Sequence, residues 1–135
     1  MNLLLDTQLA IWSVSASKRL ADEARALIVD HGNNVFVSVA SVWEISIKFP
    51  LGKRKDAPPF SAKQAVAHFE KAGFQLLEIT AAHAMAVEAL PPLHGDPFDR
   101  LLVAQALAEP LRLVTVDAFV ARYSDTIILV PAKPA

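Results

Sequence analysis

The 135-residue sequence contains no cysteine, which excludes disulfides, thiolate metal sites and cysteine nucleophiles and fits a reducing, cytoplasmic setting. Glycine is almost as scarce. With four in all and no G-x-x-x-x-G-K stretch, a glycine-rich phosphate loop is excluded. No run approaches the roughly 18 apolar residues of a membrane span, and no basic leader precedes "NLLLD", so neither a membrane segment nor a targeting segment is expected. Charge of one sign is missing too: 13 Lys and Arg face 14 Asp and Glu, for a net charge of -1. Binding to nucleic acid would therefore rest on local patches or metal ions rather than on global basicity. There is no internal repeat and no low-complexity linker. With 53% hydrophobic residues, this predicts a single domain over residues 1–135 with a substantial core.

What is present is an alternation of strand and helix patterns. "NLLL", Asn2 to Leu5, reads as a buried strand ending at Asp6. A helix follows from about Leu9, and "SKRLADEARALIVDHG" predicts another that closes at Gly32. "NNVFVS" is a strand, "SVASVWEISIKF" a helix ending before Pro50, and "PFSAKQAVAHFEKAG" a helix from near Ser61 to Gly73. "FQLLEI" is a strand candidate. Thr80 caps a helix ended by Pro91 and Pro92, and the "DPFDRLLVAQALAE" helix comes next. "LRLVTVD" is a strand ending at Asp117, followed by a helical turn through Tyr123, a last strand "TIILV" and a frayed proline-rich tail. The fold class is α/β, with a mainly parallel sheet covered on both faces.

The carboxylates of these elements form a pattern. Asp6 and Asp117 end apolar strands, where parallel sheets place their ligand sites. Asp99, in "HGDPFDRLLVAQA", shares a helix face with Leu102, Val103 and Ala106, so it turns a charge toward the core with no cation in view. Glu44 lies on a helix with few other charges. Each has a structural explanation by itself: Asp6 as a cap, Ser41 with Glu44 as a capping box, Asp96 and Asp99 at a helix start, Asp117 opening a turn. Together they are better explained by a shared oxygen-preferring divalent ion, Mg²⁺ or Mn²⁺, that removes their mutual repulsion.

Other features are weaker. His31, His68, His83 and His94 show no paired ligand spacing and read as surface or helix residues, His94 alone lying near the acids. Trp12 and Trp43 read as core aromatics, and Ser38 and Ser41 lack a matching histidine. "KFPLGKRK" gathers Lys48, Lys53, Arg54 and Lys55, either a solvated loop or a phosphate-contacting patch.

"LLLDTQLAIW", "SVWEISIKFPLGK", "LPPLHGDPFDRLLVAQA" and "LVTVD", in this order and spacing, resemble the PIN-domain ribonucleases, specifically the VapC-type toxins of toxin-antitoxin pairs, from Asn2 to about Tyr123. The resemblance implies an α/β/α sandwich, a Mg²⁺- or Mn²⁺-dependent endoribonuclease acting on RNA, and a homodimer held in check by a cognate antitoxin. It assigns the catalytic acids to Asp6, Glu44, Asp99 and Asp117, a supporting or capping role to Asp96, and a supporting hydroxyl to Thr115. Gln8 stands where this branch often has histidine, and Arg54 where an aliphatic residue is common. The apolar helices "AAHAMAVEAL" and "DRLLVAQALAE" independently favour a dimer. The rival readings are a PIN fold kept only for binding and a receiver-like signalling module. The latter is disfavoured because the middle strand, "VFVSV", ends in serine rather than in a phospho-acceptor aspartate.

Overall fold

A computed structural model describes residues 1–52, 54 and 57–134. In chain order the elements are β1 (Asn2–Leu5), α1 (Thr7–Val14), α2 (Asp22–Val29), β2 (Asn34–Ser38), α3 (Val39–Lys48), α4 (Ala62–Lys71), β3 (Gln75–Leu77), α5 (Ala81–Ala86), α6 (Pro97–Ala108), β4 (Arg112–Thr115), α7 (Ala118–Ala121) and β5 (Ile128–Leu129). Short 3₁₀ turns follow α3 at Phe49–Leu51 and α5 at Val87–Ala89.

The five strands form one sheet in the order β3-β2-β1-β4-β5, and every pairing is parallel. Side chains alternate across β1, which explains why "LLL" is apolar without interruption. Leu3 and Leu5 enter a core with Val35, Val37, Leu9, Ala24 and Phe69, whereas Leu4 enters a second core with Leu102, Val103 and Leu113 on the other face. Helix α3 serves both layers, Ile45 packing into the first core and Ala40 into the second. This is the expected α/β/α sandwich.

Several boundaries differ from the sequence reading. Helix α1 begins at Thr7 because Asp6 caps it, whereas α3 ends at Lys48, before Pro50 as expected, with Pro50 in the 3₁₀ turn beyond. Helix α2 starts only at Asp22: the preceding Leu20 instead makes an antiparallel bridge to Ala132. That bridge also corrects the frayed tail, since the Lys133 amide donates to the Arg19 carbonyl at 2.9 Å. The central strand of the sheet is β1, not "VFVSV", so the residue following the centre is Asp6. Trp12 is buried as expected, but Trp43 is 55% exposed, with its ring edge-on to Phe98.

Gly73 ends the turn after α4 with φ of +82°, and a Cβ built there meets nothing within 4 Å. Its cost on substitution is thus backbone strain alone, about 1–2 kcal/mol. Gly73→Ala should lower Tm by roughly 3–6 °C in a thermal melt. Gly95→Ala, where φ is unremarkable and the space is also open, should leave it unchanged.

Candidate active site

The order of strands places a topological switch at β1, with β2 on one side and β4 on the other, and a crevice opens at such a point beyond the carboxyl ends. The pairing Leu5↔Val114 brings the residues after both strands together there. Asp6 is held by three donors: the Leu9 amide on Oδ1 at 2.8 Å, and the Thr115 hydroxyl and Val116 amide on Oδ2 at 2.7 and 3.2 Å. Burial raises its pKa against the lowering effect of these bonds. Thr115, fully buried, donates to Asp6 and accepts from the Asp117 amide at 3.0 Å, so one hydroxyl ties the two strand-end acids together. Asp117 caps α7 with Oδ1, bonded to the Phe119 amide at 2.8 Å.

Helix α6 supplies the third acid. Asp96 Oδ1 caps it, accepting from the amides of Phe98 and Asp99, and Pro97 occupies the first turn. Asp99 then projects from that first turn. Its carboxyl is pushed up to about 6, mainly by burial and next by the charge of Asp96, while a hydrogen bond from His94 opposes the shift. His94 Nε2 lies 2.9 Å from Asp99 Oδ2 and 3.5 Å from Asp117 Oδ2. His94 thus supplies the partner that Asp99 seemed to lack. Sequence reading had noted only that it lay near the acids. Its place depends on Tyr123, whose hydroxyl accepts the His94 amide at 3.0 Å, and on Phe119, whose ring is parallel to the imidazole. Arg100 was missed altogether. Its guanidinium donates to the Tyr123 hydroxyl and to the carbonyls of Val87, Leu90 and Pro91, fixing the segment that leads into α6.

Glu44, from α3, is buried and paired with Lys48 at 2.6 Å one turn later. The capping box proposed for Ser41 and Glu44 does not form: Ser38 caps α3, and Ser41 exchanges a buried hydrogen bond with Thr7 at 2.8 Å. That bond fastens α3 to α1, hence Glu44 to Asp6. Asp6, Glu44, Asp96, Asp99 and Asp117 all line one cavity of about 220 Å³, together with Lys48. Lys48 therefore reaches the acids, and it also lines a small cleft with Arg54. Arg54 is exposed and lines a small cleft with Ile47, Leu51 and Ala57, whereas Lys53 and Lys55 lie outside the described residues. Of the other histidines, His83 is not on the surface but buried, with Nε2 at 2.7 Å from Glu109.

This donor set fits an oxygen-preferring divalent cation. Five carboxylates share a small cavity, and one ligand atom from each of His94, Asp99 and Asp117 lies within 4.8 Å of the others, a span a single ion bridges. Asp6 and Glu44 line the same cavity without joining that trio. The residue after the central strand is Asp6, so the serine that ends β2 does not by itself disfavour a receiver-like role.

The raised pKa of Asp99 has a thermodynamic sign. A folded value above the unfolded one means that its contribution to stability is fully present below about 4 and lost as pH rises through about 6. Metal-free protein should therefore lose stability between about pH 4 and 7 by this route. Asp99→Asn removes the charge and nearly keeps the shape, so in EDTA at pH 7.5 it should melt at or a few degrees above the wild type. It should then gain much less from added Mn²⁺. A variant that melts lower in EDTA and responds fully to Mn²⁺ would assign Asp99 to the helix start alone.

A profile of the PIN domain matches residues 3–125. Ribonuclease VapC22 of Mycobacterium tuberculosis is 30% identical over 118 residues, covering 85% of this chain and 86% of that protein. Among solved structures, VapBC2 of Rickettsia felis bound to a promoter DNA fragment has a TM-score of 0.67 at 17% identity, covering 98% of this chain and all of that one. A toxin-antitoxin complex of Klebsiella pneumoniae has a TM-score of 0.64 at 16% identity, covering 93% of this chain and 95% of that one. By sequence and by the sheet that gathers its acids, the chain belongs to the PIN-domain family, on its VapC-type ribonuclease branch.

Proposed function

We propose that the protein is a Mg²⁺- or Mn²⁺-dependent endoribonuclease, the toxin of a toxin-antitoxin pair, acting in the cytoplasm. The observation that carries this reading is the convergence of Asp6, Glu44, Asp99 and Asp117 on one cavity in a chain of this family. These four acids would hold the metal, with His94 beside Asp99 and Asp117. A bound divalent ion supplies a water acidified enough to attack a phosphodiester in line, and charge for the departing oxygen. The chain's own residues supply position. Thr115 and the Val116 amide keep one oxygen of Asp6 fixed, the Thr7–Ser41 bond sets the separation of α1 and α3, and Lys48, paired with Glu44, adds a positive charge to the cavity.

Purified protein should cleave RNA with Mn²⁺ or Mg²⁺ and stop in EDTA. Asp6→Asn should fold and lose at least about a hundredfold in rate, as loss of an electrostatic contact at a reacting centre does. Absence of cleavage by folded, metal-loaded protein on any cellular RNA would overturn the reading.

The partner reading is supported by the toxin-antitoxin complexes among the structural neighbours and by exposed apolar side chains. Met85 on α5 is 68% exposed and Leu107 on α6 is 48% exposed. This surface suits protein contacts: a second copy of the chain and a cognate antitoxin. Light scattering at micromolar concentration should give twice the 14.6 kDa of one chain. Met85→Glu should shift it to the mass of one.

A further inference from the structure

A second groove, of about 360 Å³, adjoins the acidic cavity; Gln8, Ile11 and Pro58 line both. Its size falls within the roughly 300–1,000 Å³ of small-ligand pockets. Arg19 and Trp12 line it further along, with the guanidinium carbon 4.8 Å from the centre of the indole. Arg19 is held in place. Its Nε donates to the Lys133 carbonyl at 3.3 Å, its own carbonyl accepts from the Lys133 amide, and the adjacent Leu20–Ala132 bridge closes the tail over this segment. Among the described residues the two Nη groups make no hydrogen bond, and no carboxylate lies within ion-pairing distance. The Gln8 amide, half-buried between the two cavities, is likewise without a hydrogen-bond partner among the described residues.

A guanidinium fixed on an aromatic face with its fork unoccupied is built to take an anion with two oxygens in one plane. The cavity beside it is lined by carboxylates, so a free small anion gains little there. A polyanion whose neighbouring phosphate is drawn to the metal-loaded acids gains from both contacts. The geometry points to this groove as the seat of the nucleotide next to the scissile phosphate of a single-stranded RNA: Arg19 binds its backbone phosphate through Nη1 and Nη2, and the Gln8 amide hydrogen-bonds the nucleotide where it passes between the two cavities. The inference rests on the ribonuclease reading and adds to it the path of the strand, leaving the acids along α1 toward the start of α2.

The test uses the intact protein and a short, mixed-sequence, fluorescein-labelled RNA with Ca²⁺ in place of Mg²⁺ or Mn²⁺ to fill the acidic site, with binding read by anisotropy across a salt series. Arg19→Ala should weaken binding about tenfold at low salt and reduce the slope of log affinity against log salt by roughly 0.7, the loss of one phosphate contact to a single strand. Arg19→Lys, which keeps the charge but not the fork, should restore the slope and only part of the affinity. Gln8→Ala should weaken binding about threefold with the slope unchanged. With Trp43→Phe leaving Trp12 as the sole tryptophan, RNA should change Trp12 emission. Wild-type protein that cleaves RNA with Mn²⁺ while Arg19→Ala, folded by circular dichroism, binds it with the same affinity and slope would overturn the subsite alone. Wild-type protein that neither binds nor cleaves RNA would overturn the ribonuclease reading and this one with it. Unchanged RNA affinity together with a weakened complex with the co-expressed antitoxin would assign the groove to the protein partner instead.

Discussion

The hydrogen bond from the Thr115 hydroxyl to Asp6 is the contact on which the site depends. It crosses from the end of β4 to the end of β1, where the strand order reverses, and the same hydroxyl accepts the amide of Asp117. One buried group therefore satisfies one acid and orients another without bringing in a positive charge. A hydroxyl leaves the charge of Asp6 in place, and burial raises the free energy of its ionised form.

Capping, set against a functional role when the sequence is read alone, engages one oxygen of each strand-end acid and leaves the other to contacts across the site. Asp6 caps α1 with Oδ1 and meets Thr115 with Oδ2. Asp117 caps α7 with Oδ1 and turns Oδ2 toward His94. The cap is what aims the other oxygen. A short helix start after each strand is thus part of the site's construction, and the frequency of capping in proteins does not weigh against a functional role.

The element order was legible in the sequence because hydrophobic periodicity is local: "NLLL" and "LRLVTVD" announce strands, and Ser61 and Thr80 announce helix starts that the structure has as full capping boxes. The acids were legible for the same reason, each standing at the edge of an apolar run. What stayed hidden depends on partners far along the chain. His94 and Arg100 acquire their roles from Tyr123, the start of α2 is displaced by a bridge to Ala132, and Trp43 remains outside because its neighbour is Phe98 rather than the core. Central position in the sheet was misassigned to "VFVSV" because order along the chain carries no information about which strand is flanked on both sides.

The bond between Thr115 and Asp6 closes a loop of 109 residues. Strand β1 is made well before β4, its neighbour on one side, with β2, β3 and six helices between them in the chain. Until then Asp6 has no Thr115 or Val116 to hold it, and Asp117 is not yet beside the other acids. A long-range parallel pairing of this kind forms late and only in concert with the rest of the sheet. The architecture thus delays assembly of the acidic centre until β4 and the segment through Asp117 have been made.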